Sequence, residues 1–272
     1  HAGPVGGADE VELARHAHRE VGAGPIRRRT AALVTALSAA DALLAPSRFL
    51  MEEYIRAGVP KDRLQHWPYG VDRAPFAAAT RTPAADGRVR FVYTGSLQPS
   101  KGVDLLVRAF TAMPSARAML TVHGAAPASA PGYRDRLERL AQGRPDIRFA
   151  GPFAHGRVGA VLAEADVVVV PSRWFENWPL TLLESVLAGA AAVTADHGGM
   201  REFAKTFGTA VTFRPDDAGD LTRAMRRFVD EPGLAARLAT ASRSDVRTLD
   251  DDVGGLDALY ERLCAARRGG GR

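Results

Sequence analysis

The sequence predicts an α/β protein, a doubly wound parallel sheet with helices on both faces, preceded by a mainly helical segment. Three observations carry this. Short β-branched runs recur at 89–94 (VRFVYT), 118–123 (AMLTVH), 146–150 (DIRFA), 166–170 (DVVVV), 191–195 (AAVTA) and 209–213 (TAVTF). Amphipathic stretches near 101–112, 132–142, 155–164, 181–188 and 199–205 lie between them, and strands alternating with helices imply parallel strands joined by crossovers. The strands are continuous β-branched runs, as expected of strands covered on both faces.

Taken in order, residues 10–40 read as helical, with Leu33, Leu37 and Leu43 spaced near the helical period. DALLAPS (41–47) reads as a short strand ending in a helix cap, and RFLMEEYIRAG as a helix closed by Gly58. After HWPYGVD (66–72), the stretch RAPFAAATRTPAADG is rich in Ala, Pro and Gly and reads as a linker. Helices take over from 217 to about 266. The expected division is 1–72, 73–250 and 251–272, the last a C-terminal helix and tail.

Composition narrows the function. Hydrophobic residues are 46% and charged residues 25% of 272, ordinary for a globular chain, and no apolar run reaches the ~18 residues of a membrane span. The net charge of +5 is almost all arginine, since Lys61, Lys101 and Lys205 are the only lysines. These charges are scattered apart from RRR at 27–29, and no nucleic-acid motif accompanies them, so no nucleic-acid partner is expected. Peripheral contact with an anionic membrane surface stays open beside the plainer reading of a solvated helix face. A single Cys264 forms no internal disulfide and no zinc spacing. With no signal pattern at the first residues, a reducing cytoplasm is expected.

In a doubly wound sheet the chemistry sits in the loops at the carboxyl ends of the strands. YTGSLQPSKGVDLLVRAF (93–110) puts Gly95 after a strand, with Ser100 expected to cap the next helix and Lys101 to stand in its first turn. A cation there opposes the helix dipole unless it and the free N–H groups hold an anion. The alternative is a solvated lysine whose stem covers the helix end. SRWFENWPLTLLESVLAG (172–189) holds Glu176 and Glu184. TLLE (181–184) fits a capping box, which explains Glu184 without a ligand. Glu176 has no such explanation: flanked by Trp174, Phe175 and Trp178, it binds sugar hydroxyls or is simply wet. DHGGMREF (196–203) supplies two glycines, and TVHGAAP (121–127) a His123-Gly124 pair, at strand ends. DDD (250–252) reads as the acidic start of a helix, not as a metal site.

Together these segments resemble the C-terminal half of a GT-B fold glycosyltransferase of the retaining family 4. ADALLAPSRFLMEEYIRAGVPKDRLQHWPYGVD (40–72) is similar to the crossover between the two domains, FVYTGSLQPSKGVDLLVRAF (91–110) to the donor-phosphate loop, and ADVVVVPSRWFENWPLTLLESVLAGAAAVTADHGGMREF (165–203) to the signature region with its E-x(7)-E spacing. The resemblance implies a Rossmann-like domain and transfer of a sugar from a nucleotide diphosphate sugar to an acceptor hydroxyl, with retention and without a bound metal or cofactor. It implies a bacterial enzyme acting on polysaccharide, lipid-linked or natural-product acceptors, in the cytoplasm or at the inner membrane surface.

It also implies roles at matching positions. Lys101 and the amides of Leu180 and Thr181 would hold the diphosphate, Glu184 the ribose, and Glu176 the transferred sugar, with Asn177 beside it. Ala150 to Phe153 would lie against the base, and Gly95, Gly124 and Gly199 would let backbone close around the donor. Replacing Glu176 would then spare the free nucleotide and remove discrimination among sugars. The family's arginine after the glycine is Ser96 here, so either the grip on the diphosphate is weaker or another arginine substitutes. The N-terminal acceptor domain is almost absent, so the chain is expected to be a truncated enzyme, mainly its donor-binding half. The rival readings are a catalytically silent nucleotide-sugar-binding module, a sugar phosphorylase and a nucleotide-sugar epimerase.

Overall fold

The computed structural model describes residues 23–269 apart from 82, 83, 85, 115 and 242. The helix expected over 10–40 is seen as α1 (Ala23–Ser38); its earlier part lies outside the described residues. The chain divides into two compact units, one of His1–Leu44 with Glu52–Gln65, the other of Ala45–Met51 with His66–Arg272. β1 (Leu43–Ala45) and β2 (Leu64–His66) form a two-stranded sheet. α2 (Arg48–Arg56) starts as expected from a serine cap: Ser47 Oγ accepts the Leu50 N–H at 3.1 Å. Its first two free amides, Arg48 and Phe49, donate to Glu202 at 2.9 and 2.8 Å.

The larger unit is built on a six-stranded parallel sheet. Its strands are β3 (Val89–Thr94), β4 (Ala118–His123), β5 (Ile147–Phe149), β6 (Val167–Val170), β7 (Ala191–Ala195) and β8 (Ala210–Phe213). They lie in the order β5-β4-β3-β6-β7-β8. Numbered from its own first strand this is 3-2-1-4-5-6, the doubly wound order, with its reversal between β3 and β6. The crossovers are α3 (Val103–Thr111), α4 (Tyr133–Leu140), α5 (Val158–Ala163), α6 (Leu180–Ala188) and α7 (Gly198–Phe207). α8 (Ala218–Asp230), α9 (Leu234–Leu238) and the 21-residue α10 (Leu249–Gly269) follow.

β6 is wholly apolar, and β7 nearly so, because both of their faces are covered. Val167, Val168 and Val169 of β6 are fully buried, as are Ala191, Ala192 and Val193 of β7. Phe91 of β3 meets Phe110 of α3 and Phe228 of α8 edge-on, at 6.1 and 6.3 Å between ring centres. At the amino ends of β3 and β6 the buried Asp166 accepts hydrogen bonds from the Arg81 and Arg90 guanidiniums and from the Arg90 backbone N–H. Burial alone would raise its pKa; these donors outweigh that and hold it below the usual carboxylate range.

One expectation about connections is corrected. The stretch after 72 is no loose linker: Phe76 is 2% exposed in the core, and the Arg243 guanidinium donates to the carbonyls of Phe76 and Ala79. Gly159 of α5 lies so close to it that a Cβ would stand 1.9 Å from the Pro75 oxygen. The acids at 250–252 stand in the first turn of a helix, as expected. Thr248 and Asp251 form the capping box of α10, with Asp251 N donating to Thr248 Oγ1 at 3.0 Å and Thr248 N to Asp251 Oδ2 at 3.3 Å. Asp252 points to other partners, the Trp67 indole N–H and the Gly70 N–H.

Candidate functional site

The reversal of strand order leaves a crevice beyond the carboxyl ends of β3 and β6, the place where open α/β sheets bind ligands. A cavity of ≈ 380 Å³ stands there, lined from one side by Tyr93, Gly95, Ser96 and Lys101 and from the other by Ser172, Trp174 and the run Glu176–Thr181. Seven of the sequence-derived site residues therefore meet in one place: Gly95, Ser96, Lys101, Glu176, Asn177, Leu180 and Thr181.

Backbone contacts set the two loops against each other. Pro99–Lys101 is a single 3-10 turn, and α3 starts only after Gly102, which takes φ +67°. A Cβ at Gly102 would stand 2.0 Å from the Pro171 oxygen, so only glycine permits this approach. Ser100 is not the cap expected of it. Its carbonyl instead accepts the N–H groups of Arg173 and Trp174 at 2.9 and 3.1 Å. Lys101 accordingly stands in the turn before α3 and not in its first turn.

What Lys101 faces is Glu176, with Nζ 2.6 Å from Oε1. The hydroxyl of Ser172, 1% exposed, donates to the same carboxylate oxygen at 2.9 Å. The backbone of Glu176 is fixed too: its carbonyl accepts the Gly199 N–H at 2.7 Å, and a Cβ on Gly199 would lie 2.0 Å from the Asn177 oxygen. The two glycines of DHGGMREF thus seat α7 against the Glu176 loop, and the Gly199 amide is committed there instead of facing a ligand. Gly124 likewise makes room for the Gly95 carbonyl, which a Cβ would approach to 1.8 Å.

The capping box expected at TLLE does not form. α6 begins at Leu180 after Pro179, with no side-chain cap. The N–H groups of Leu180 and Thr181 have no partner among the described residues and stand at the cavity wall, where the positive end of the helix dipole adds to Lys101. Glu184, one turn on, shares their face. Its carboxylate has no hydrogen bond from a described residue, and burial raises its pKa, with His155 the charge that partly opposes this. Glu184, Gly124, Ala150, Phe153 and Gly199 lie outside the cavity lining. Ala150 donates to the Val122 carbonyl, and Phe153 meets His123 edge-on at 5.3 Å.

Of the two alternatives at Ser96, a substitute arginine is not in the cavity; among the described lining residues Lys101 is the one cation. Arg173 turns away to the carboxylates of Asp104 and Asp216 and to the Pro99 carbonyl. Burial would raise the pKa of Asp104, but hydrogen bonds from Arg173 and Tyr133 leave it lowered. The flanking aromatics divide. Trp178 packs on Phe203 and Phe207, whereas Trp174 and Phe175 are 63% and 57% exposed. Sequence reasoning missed Ser172, Tyr93 and Tyr69. Tyr93 supports the first loop by donating to the Ser96 carbonyl at 2.9 Å, and burial pushes its pKa up.

The model of the family described as Glycosyl transferases group 1 matches residues 79–245. The chain belongs to this family. The group 1 match includes both cavity loops and ends before α10. Among curated relatives, the chain is 30% identical over 200 residues to a glycogen synthase of Mycobacterium tuberculosis, covering 74% of this chain and 48% of that one. It is 31% identical to a D-inositol 3-phosphate glycosyltransferase of Geodermatophilus obscurus, covering 81% and 52%. The chain thus spans about half the length of these relatives. Among solved structures, Anabaena HepE in complex with UDP and glucose superposes with a TM-score of 0.75 at 17% identity, covering 86% of this chain and 67% of that one. Sucrose-phosphate synthase from Thermosynechococcus elongatus gives 0.77 at 22%, covering 93% and 66%. The six-stranded parallel sheet flanked by helices is that of GT-B glycosyltransferases, as the resemblance implied.

Proposed function

We propose that this chain is the donor-binding part of a glycosyltransferase that moves a sugar from a nucleotide diphosphate sugar to an acceptor hydroxyl with retention of configuration. The observation that carries this is the meeting, in one cavity, of Lys101 with the unpartnered amides of Leu180 and Thr181. Such an arrangement neutralises a dianionic leaving group without a metal, by fixed charge and dipole already in place. Glu176 stands beside Lys101 to accept hydrogen bonds from sugar hydroxyls, and Glu184 stands one turn further for the ribose. Glu176 is the one carboxylate among the described lining residues, and Lys101 and Ser172 both engage it. That favours front-face displacement, with the departing phosphate taking the acceptor proton, over a covalent carboxylate intermediate.

Calorimetric titration with UDP-, GDP- and ADP-linked sugars tests the reading. One of these donors binds, and Lys101→Ala weakens it. Failure of every donor to bind contradicts the proposal, whereas binding without turnover on any acceptor supports the silent-module alternative.

A further inference from the structure

One wall of the cavity comes from outside the family-matched span. Tyr69 lines the cavity, yet it lies in the segment 66–72, ahead of residue 79 where the match begins. Its ring is 38% exposed, and its hydroxyl makes no hydrogen bond to any described residue. The residues on either side of Tyr69 are held by the start of α10, also outside the match. Asp252 accepts the Trp67 indole N–H at 2.5 Å on Oδ1 and the Gly70 N–H at 3.1 Å on Oδ2. Val71 N donates to the Arg247 carbonyl at 2.9 Å, and Leu249 N to the Val71 carbonyl at 3.2 Å. The Arg247 guanidinium lies over the Trp67 ring at 4.4 Å. Gly70 lies so close that a Cβ would fall 2.4 Å from the Thr248 oxygen.

A five-residue stretch fastened on both sides of one aromatic residue has that residue as its adjustable product. We infer that Tyr69 is a donor-contacting residue of the cavity, giving its free hydroxyl to the diphosphate or sugar of a nucleotide sugar, and that Asp252 is its positioning residue. This rests on the reading of the cavity given above. It also gives Asp252 a role that neither a metal site nor a helix dipole supplies.

The test is a thermodynamic cycle on the full chain, with UDP-glucose, GDP-mannose and ADP-glucose as probes and melting temperature recorded for each variant. Tyr69→Ala weakens the donor that the wild type binds by about three- to tenfold, the value of one hydrogen bond and its contact. Tyr69→Phe reproduces the part owed to the hydroxyl. Asp252→Ala weakens it similarly, Asp252→Asn recovers part of the loss through its remaining carbonyl oxygen, and the double variant Tyr69→Ala/Asp252→Ala is no weaker than Tyr69→Ala alone. Additive losses, or a lower melting temperature with unchanged affinity, overturn the positioning role. Unchanged affinity in Tyr69→Ala overturns the whole inference while leaving the cavity's reading intact. Absence of wild-type binding to all three probes overturns that reading, and this inference with it.

Discussion

Lys101 and Glu176 lie 2.6 Å apart, so an incoming diphosphate competes with the Glu176 carboxylate for the Lys101 ammonium. This revises what the sequence implies for Glu176. Replacing it does not simply spare the free nucleotide: Glu176→Gln frees Lys101 and tightens nucleoside diphosphate binding by about 1 kcal/mol, the value of a partly exposed ion pair. Calorimetry with the free diphosphate checks this, and a weaker complex would mean that the pair persists in the bound state. Lys101→Ala removes the charge-assisted contact and weakens binding by roughly 1.5–3 kcal/mol. Both residues were legible in the sequence as candidates, Lys101 from its place after a Gly-containing loop and Glu176 from lacking any structural reason to be there. Their pairing was not legible, because a contact across 75 positions leaves no local trace. Ser172 was hidden for the same reason: a buried serine after a strand looks like packing until its hydroxyl is seen on Glu176.

At the scale of elements, the site is two loops stitched backbone to backbone and braced by α7. Gly102→Ala forces a Cβ into the Pro171 carbonyl at a φ of +67°. It destabilises the fold by about 2–4 kcal/mol, in the range of backbone strain plus displaced packing, read as a shifted midpoint in urea unfolding. Gly199→Ala pushes on the Asn177 carbonyl and moves the Glu176 loop. Its loss of donor affinity therefore exceeds its loss of stability when both are measured on one preparation. The strands and most helices were legible from β-branched runs and helical periodicity. The helix starts were not. TLLE has the composition of a capping box, yet α6 begins two residues too early for Thr181 to act as its cap, because Pro179 already supplies the turn into the helix. Ser100 has the composition of a cap, yet Gly102 delays α3 so that Ser100 can serve the neighbouring loop. In both places the local signal lost to the packing of the site.

For the whole molecule, buried carboxyl groups move stability with pH in opposite directions. Asp104 and Asp166 have pKa values lowered by their arginine partners, so the stability they contribute is present above pH 3.8 and lost as pH falls through their folded values. Glu184 works the other way. Its raised pKa means the folded state holds a proton that the unfolded state releases, so its contribution is full below pH 4.5 and is lost as pH rises through the folded value. Thermal melts across pH therefore show Glu184→Gln flattening the decline on the upper side, without change in the acid limb. The doubly wound order was legible from the alternation of strand and helix alone. The fastening of segment 66–72 by α10 was not, since it joins residues about 180 positions apart outside the repeating pattern.

The central claim is that Lys101 and the amino end of α6 together hold the diphosphate of the donor. A crystal structure of the chain with its bound nucleotide sugar tests it most directly. Phosphate oxygens are expected within hydrogen-bond distance of Lys101 Nζ and the Leu180 and Thr181 amides, with Glu176 turned from Lys101 to the sugar hydroxyls. A nucleotide seated elsewhere, with the Lys101–Glu176 pair intact, would contradict it.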